Sequence, residues 1–179
     1  DNGATTEVAS YTITAATNVT YYLQAIDTVT QCVSDILPLV ISVHELPVIT
    51  NIQNFTYCHG EEAPQHQFSS NISNATYYWE KVSGNGSGLA ENGIDRIPAF
   101  TASNGGVEPE TNIYEVVARY TTSSGSVCES TPHTFSVKVN PVPVLSSDKD
   151  GGEICSGQNF LYNVASLTTG TTFTWEQEY

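Results

Sequence analysis

Apolar and polar residues along this chain alternate with the two-residue period of strands; no stretch repeats apolar residues at helical spacing. Leu39, Ile41 and Val43 alternate with Val40 and Ser42, and Phe135, Val137 and Val139 alternate with Ser136 and Lys138. Each series predicts a strand with one face buried. The run 20–26, Thr-Tyr-Tyr-Leu-Gln-Ala-Ile, predicts another. Between 48 and 139 the pattern predicts strands at 48–56, 65–72, 75–82, 95–102, 112–121 and 133–139, with a further short strand near 88–91. Turns fall at 85–88, 104–106 and 123–125, where Gly and Asn accept positive φ at little cost.

The pattern repeats. Cys32 and Cys128, Pro47 and Pro143, Phe68 and Val164, and Trp79 and Trp175 keep the same offset of 96 as Leu39 and Phe135, while Cys58 and Cys155 are 97 apart. A period of this length suits a sandwich domain, whereas solenoid repeats recur every ~20–50 residues. The expected architecture is all-β, with tandem β-sandwich modules, one complete and two partial. Residues 1–47 form the C-terminal part of a first module, 48–144 a complete module, and 145–179 the N-terminal part of a third. The core of the complete module is expected to centre on Trp79, with Tyr77, Tyr114, Val116 and the inward residues of 133–139 around it.

Composition narrows the function classes. Asp and Glu number 19 against 5 Lys and Arg, a formal charge of −14, so the surface repels phosphate backbones and anionic lipids. Neither nucleic-acid binding nor membrane insertion is expected, and no apolar run approaches the ~20 residues of a membrane helix. Met is absent, and Thr, Ser, Asn, Val and Tyr dominate, a composition of β-structure. Four cysteines without a Cys-x-x-Cys pair fit an oxidising, extracellular location.

Several clusters invite chemistry. Cys58 and Cys128 lie within one module and are expected to form a disulfide across a loop of about 70 residues, worth about 4 kcal/mol in the chain-entropy picture. The alternative places them at opposite poles. Cys32 and Cys155 are expected to be unpaired within this chain. The string from Cys58 through His59, Glu61 and Glu62 to His66 gathers potential metal ligands, yet Ser156 and Tyr162 replace the two histidines one period later. A polar loop is the expected reading, with no metal or cofactor. Asp148, Asp150 and Glu153 resemble a truncated calcium loop, with a solvated turn the preferred reading. His44, His59, His66 and His133 are scattered, and neither a Gly-x-Ser-x-Gly elbow nor a His-Glu-x-x-His helix occurs, so no catalytic residue and no enzyme activity are expected. Asn-x-Ser/Thr sequons begin at Asn18, Asn54, Asn71, Asn74 and Asn85, as a chain rich in Asn and Thr produces by composition. Tyr22, Tyr57 and Tyr78 are candidates for a sugar-stacking platform, with plain sheet cover the preferred reading.

The succession Cys-x-Gly at 58–60, Tyr-x-Trp at 77–79, Gly-Leu-Ala at 88–90, Arg-Ile-Pro-Ala-Phe-Thr-Ala-Ser-Asn at 96–104, Cys-x-Ser-Thr-Pro at 128–132 and Thr-Phe-Ser-Val-Lys-Val-Asn-Pro-Val-Pro at 134–143 resembles the PKD-like, immunoglobulin-like repeats of giant surface adhesins in Bacteroidota. Gliding-motility adhesins carry such arrays. The first junction departs from this pattern, with Glu45 where the second has Pro141. The resemblance implies export by the type IX secretion route, attachment to the bacterial cell surface, and a structural role in a stalk for adhesion or gliding. It implies as partners neighbouring modules, secretion or attachment machinery, and an extracellular surface or glycan. It also makes Thr28, in Asp27-Thr-Val29, a candidate for O-glycosylation. The alternative function is a carbohydrate- or protein-binding module of a secreted multidomain protein.

Overall fold

The structure, a computed structural model, describes residue 12 and residues 14–177, and every described element is a strand, a turn or irregular. The protein is all-β, with several sheets. The chain divides into two compact units, 1–45 and 46–179.

The first unit is built on one hairpin, β1 (Val19–Leu23) and β2 (Leu37–Ile41), antiparallel with Tyr21 opposite Leu39. An isolated bridge joins Ile26 to Val33 beyond it. Val43 N donates to Asn18 Oδ1 at 2.7 Å, which continues the pairing past Ile41.

The second unit contains β3 (Phe55–Cys58), β4 (Glu62–Ala63), β5 (His66–Gln67), β6 (Thr76–Ser83), β7 (Asn92–Ile94), β8 (Arg96–Ile97), β9 (Phe100–Thr101), β10 (Glu110–Thr121), β11 (Val127–Glu129) and β12 (His133–Asn140). The main sheet runs in the order β3-β12-β10-β6-β7, with β11 also paired to β10. All of its pairings are antiparallel except β3 with β12. Two short antiparallel pairs, β4 with β9 and β5 with β8, supply the other layer.

The alternation read from the sequence is what closes this core. Tyr114, Val116 and Ala118 on β10, and Phe135, Val137 and Val139 on β12, all point to one face and are at most 2% exposed. Phe68, Ile97 and Ala102 from the opposing layer pack on them, with Tyr77 and Trp79 from β6. Tyr114 stacks on Phe135, centroids 5.2 Å apart, and meets Trp79 edge-on at 5.9 Å. Two polar side chains that enter the core are paired: Trp79 Nε1 donates to Arg96 O at 3.0 Å, and the Tyr114 hydroxyl shares a 3.1 Å hydrogen bond with buried Ser87.

The repeat is written into the backbone as well as the sequence. Bridges join Ile49 to Ser70 and Leu145 to Ser166, 96 residues on. Thr50 N donates to Ser69 O, and Ser146 N to Ala165 O, both at 2.9 Å. Glu61 N donates to Cys58 O, and Gln158 N to Cys155 O, both at 3.1 Å, with the offset of 97 expected there. The hairpin recurs too. Ala25 and Ser34 exchange N–H···O at 2.9 Å and N–H···Oγ at 3.0 Å, and Ala118 and Ser130 do the same at the same distances. On that alignment Tyr21 corresponds to Tyr114 and Leu39 to Phe135, since each pair stands opposite across its hairpin.

The expected Cys58–Cys128 disulfide is not formed, and all four thiols are free. Cys58 lies beside Asn140 at one end of the sheet, while Cys128 stands opposite Tyr120 at the other. Val139 stands opposite Glu110, so the two cysteines are separated by roughly ten residues of β10, about 34 Å at ~3.4 Å per residue. A disulfide requires Cα atoms within ~7 Å. The loop length fits a disulfide; the register forbids it.

Candidate functional site

Three places carry the side chains that the sequence singles out. The first is the pole where residues 48–144 meet residues 145–177. The loop at 102–109 folds over this end of the sheet because Asn104 is buried and ties it down. Its side-chain amide donates to Val139 O at 2.8 Å and to Glu108 O at 2.9 Å, and its Oδ1 accepts from Gly106 N at 2.9 Å. Asn104 N donates to His59 Nδ1 at 2.9 Å. The potential metal ligands nearby are engaged one by one. Glu61 accepts from Cys58 N at 2.8 Å, Glu62 accepts the Thr101 hydroxyl at 2.7 Å, and His66 Nε2 lies 3.2 Å from Asn51 O. His59 and His66 thus serve separate loops, and among the described residues no group of three His, Cys, Asp or Glu is placed to hold a metal ion.

Across this pole the Thr169 hydroxyl donates to both carboxylate oxygens of Glu108, at 2.6 and 2.7 Å. The acidic loop that follows the junction turns on itself. Asp148 Oδ1 accepts from Asp150 N at 3.1 Å, and Asp150 Oδ1 accepts from Gly152 N at 2.9 Å. Two successive Asx turns consume these carboxylates locally.

The second place is the outer face of the main sheet. Tyr78 points away from the core as its alternation with Tyr77 and Trp79 requires. The Arg119 guanidinium lies over its ring, 4.8 Å from the centroid, and pairs with Glu129. Tyr57 does not join it. β3 and β6 are separated by β12 and β10, and Tyr57 turns toward Phe100, centroids 5.8 Å apart and edge-on. Tyr22 is exposed on the other unit. The three tyrosines are therefore not gathered into one platform, and Arg119 occupies one face of the Tyr78 ring.

The third place is the β1–β2 turn carrying Thr28. Asp27 Oδ1 accepts from Val29 N at 2.8 Å and from Thr30 N at 3.0 Å, and these amides, Thr30 first, hold the Asp27 carboxyl below the usual carboxylate range. Gln31 closes the turn with a φ of 62°. Thr28 is exposed at the tip of this turn.

Residue types alone did not reveal two positions on which the module depends. Asn104 reads as an ordinary turn residue, although Asn in front of Gly-Gly is the available signal for a side chain that replaces missing backbone partners. Gly93 passes directly over the Trp79 ring, so that a Cβ there would overlap Cζ2. Its signal is a glycine inside a strand, which marks close approach by another group. No helix among the described residues is long and apolar enough to cross a membrane.

The chain matches no family model, and no curated protein resembles it in sequence. The described residues form an all-β fold with several sheets.

Proposed function

We propose that the chain is a piece of an extended cell-surface stalk, made of immunoglobulin-like, PKD-like sandwich modules in tandem. The observation that carries this reading is that both junctions are latched in the same way. After Pro47, Val48 N donates to Asn71 Oδ1 at 2.7 Å and Val48 O accepts from Asn71 N at 3.2 Å. After Pro143, Val144 N donates to Thr168 Oγ1 at 3.3 Å and Val144 O accepts from Leu167 N at 2.9 Å. Each linker is thus tied to a loop of the segment that follows it, at Asn71 and at 167–168, and proline limits its bending. Modules with strands of about 8–12 residues then add ~30–40 Å each to a rod.

Such a rod suits a protein exported to the bacterial surface, where it projects a binding region for adhesion or gliding. Its direct partners are its own neighbouring modules and the attachment machinery. The acidic surface keeps successive modules apart. Thr28, exposed on its turn, is the position for an attached glycan, and mass spectrometry of the chain secreted by its own host tests it.

The alternative, a carbohydrate- or protein-binding module, finds its best surface at Tyr78, where Arg119 occupies the face a sugar would stack on. Binding of the 179-residue chain to polysaccharide and surface-protein panels separates the two. A spacer gives no saturable binding. Saturable binding lost on Tyr78→Ala would establish the module reading instead.

A further inference from the structure

His59 holds the loop at 102–109 through an atom that acid can take away. Backbone hydrogen bonds fix the segment that carries the ring. His59 N donates to Asn140 O at 2.9 Å, Gly60 N to Ala102 O at 2.8 Å, and Ala102 N to Glu61 O at 2.8 Å. They set the imidazole against the loop, where its Nδ1 accepts from Asn104 N at 2.9 Å. A ring nitrogen accepts only through a lone pair, so the proton of the neutral ring sits on Nε2. Asn104 is buried, whereas His59 is exposed, so protons from solvent reach the ring.

We propose that the His59–Asn104 hydrogen bond is a pH-sensitive catch, closed while the imidazole is neutral and opened when Nδ1 takes up a proton. In weakly acidic water a protonated imidazole donates from both nitrogens, and two N–H groups then face each other. The buried Asn104 N–H loses its partner. The change passes to Glu108, because Asn104 Nδ2 donates to Glu108 O at 2.9 Å while the Glu108 carboxylate holds the Thr169 hydroxyl. Acid therefore loosens the grip of this loop on the segment that follows. The bond from Asn104 Nδ2 to Val139 O is untouched by the proton, so the loop loosens without leaving the sheet.

The ionisable groups on the elements around this ring are Tyr57 and Cys58 on β3, Glu61 and Glu62 just beyond it, Glu108 and Glu110 at the start of β10, and Lys138 on β12. All four carboxylates accept hydrogen bonds from other groups: from Cys58 N, from the hydroxyls of Thr101 and Thr169, and from Asn85 N at 2.6 Å. The imidazole is thus the group at this pole whose one recorded bond is made by its unprotonated nitrogen and broken by its protonation.

Amide exchange of the 179-residue chain, followed by NMR from pH 7.5 to 5 and divided by the intrinsic rate at each pH, is the test. Protection at Asn104 is expected to fall about five-fold on acidification, the loss of one hydrogen bond. Protection at Leu167 should fall with the same midpoint and by less, while Val116 and Val137 report an intact sheet. His59→Asn offers an amide oxygen close to the place of Nδ1 that does not titrate, and is expected to keep Asn104 protected at both ends of the range. His59→Ala should leave Asn104 poorly protected at both. Level protection at Asn104 in the wild type, a step near pH 4 where carboxylates titrate, or a step that Leu167 does not follow overturns the proposal. So does the wild-type step in His59→Asn, or wild-type protection in His59→Ala at pH 7.5. The stalk reading rests on the junction latches and survives each of these outcomes.

Discussion

Trp79 and Trp175 share a position in the repeat and differ in everything that surrounds them, which makes them a matched pair for residue-scale tests. Trp79 packs against Tyr114 and donates to Arg96 O. Trp79→Ala is expected to destabilise the complete module by about 3–5 kcal/mol, while Trp175→Ala leaves its denaturation midpoint unchanged. Gly93→Ala belongs with the first, because its methyl group meets the rigid indole and not a flexible side-chain end. Tyr114 titrates differently from a free phenol: burial pushes its pKa above the ordinary 10.0, partly offset by the hydrogen bond to Ser87. The folded state then holds the phenolic proton to higher pH than the unfolded chain does. This contribution is fully present below pH 10 and is lost as pH rises through the folded pKa. Burial moves Tyr57 in the same direction. Thermal melts from pH 8 to 12 are expected to show a falling midpoint above about pH 10, with a shallower fall in Tyr114→Phe. An equally steep fall in that variant would place the effect elsewhere.

At the scale of elements, the long strands were legible in the sequence and the short ones were not. The alternation at 112–121 and 133–139 is imposed by burying one face, so β10 and β12 appear where expected, as does β6. The expected strands at 65–72 and 95–102 are instead the two-residue pieces β5, β8 and β9, because Pro98 and the loops tied by Asn51 and Asp95 interrupt the ladder. The cysteine pairing was illegible for a related reason. Sequence separation measures the loop a bridge would close, whereas register decides whether its ends meet. A thiol-reactive dye should therefore label Cys32, Cys58 and Cys155 rapidly without denaturant and Cys128 more slowly, since only Cys128 is partly buried. Fewer than four reactive thiols after unfolding without reductant would restore a disulfide. The Ala–Ser exchange that closes both hairpins was also hidden, because nothing in the sequence shows which backbone amide the hydroxyl of Ser34 or Ser130 meets. Ser130→Ala leaves the buried Ala118 N–H without its partner and is expected to cost about 1–3 kcal/mol. Ser34→Ala, on an exposed hairpin, should cost less.

For the whole molecule, the quantity that matters to the proposed stalk is how firmly residues 48–144 fix the segment that follows them. The linker latch at Val144 and the Thr169–Glu108 contact approach the second junction from different directions. The latch binds the linker to residues 166–168, and the carboxylate of Glu108 reaches Thr169 from the loop held by Asn104. Removing the carboxylate should therefore loosen the following segment without disturbing the module that carries it, since Glu108 contributes only its backbone carbonyl to the Asn104 clamp. A hydrogen bond to an exposed charged acceptor is worth about 1 kcal/mol, so Glu108→Ala is expected to speed amide exchange at Ser146 and Leu167 about five-fold. Exchange at Val116 and Val137, in the centre of the main sheet, should stay as it was. Glu108→Gln keeps one acceptor oxygen and should fall between the two. If Glu108→Ala accelerates exchange in the sheet as strongly as at Ser146, then Glu108 supports the module itself and the step between modules is set by the linker latch alone.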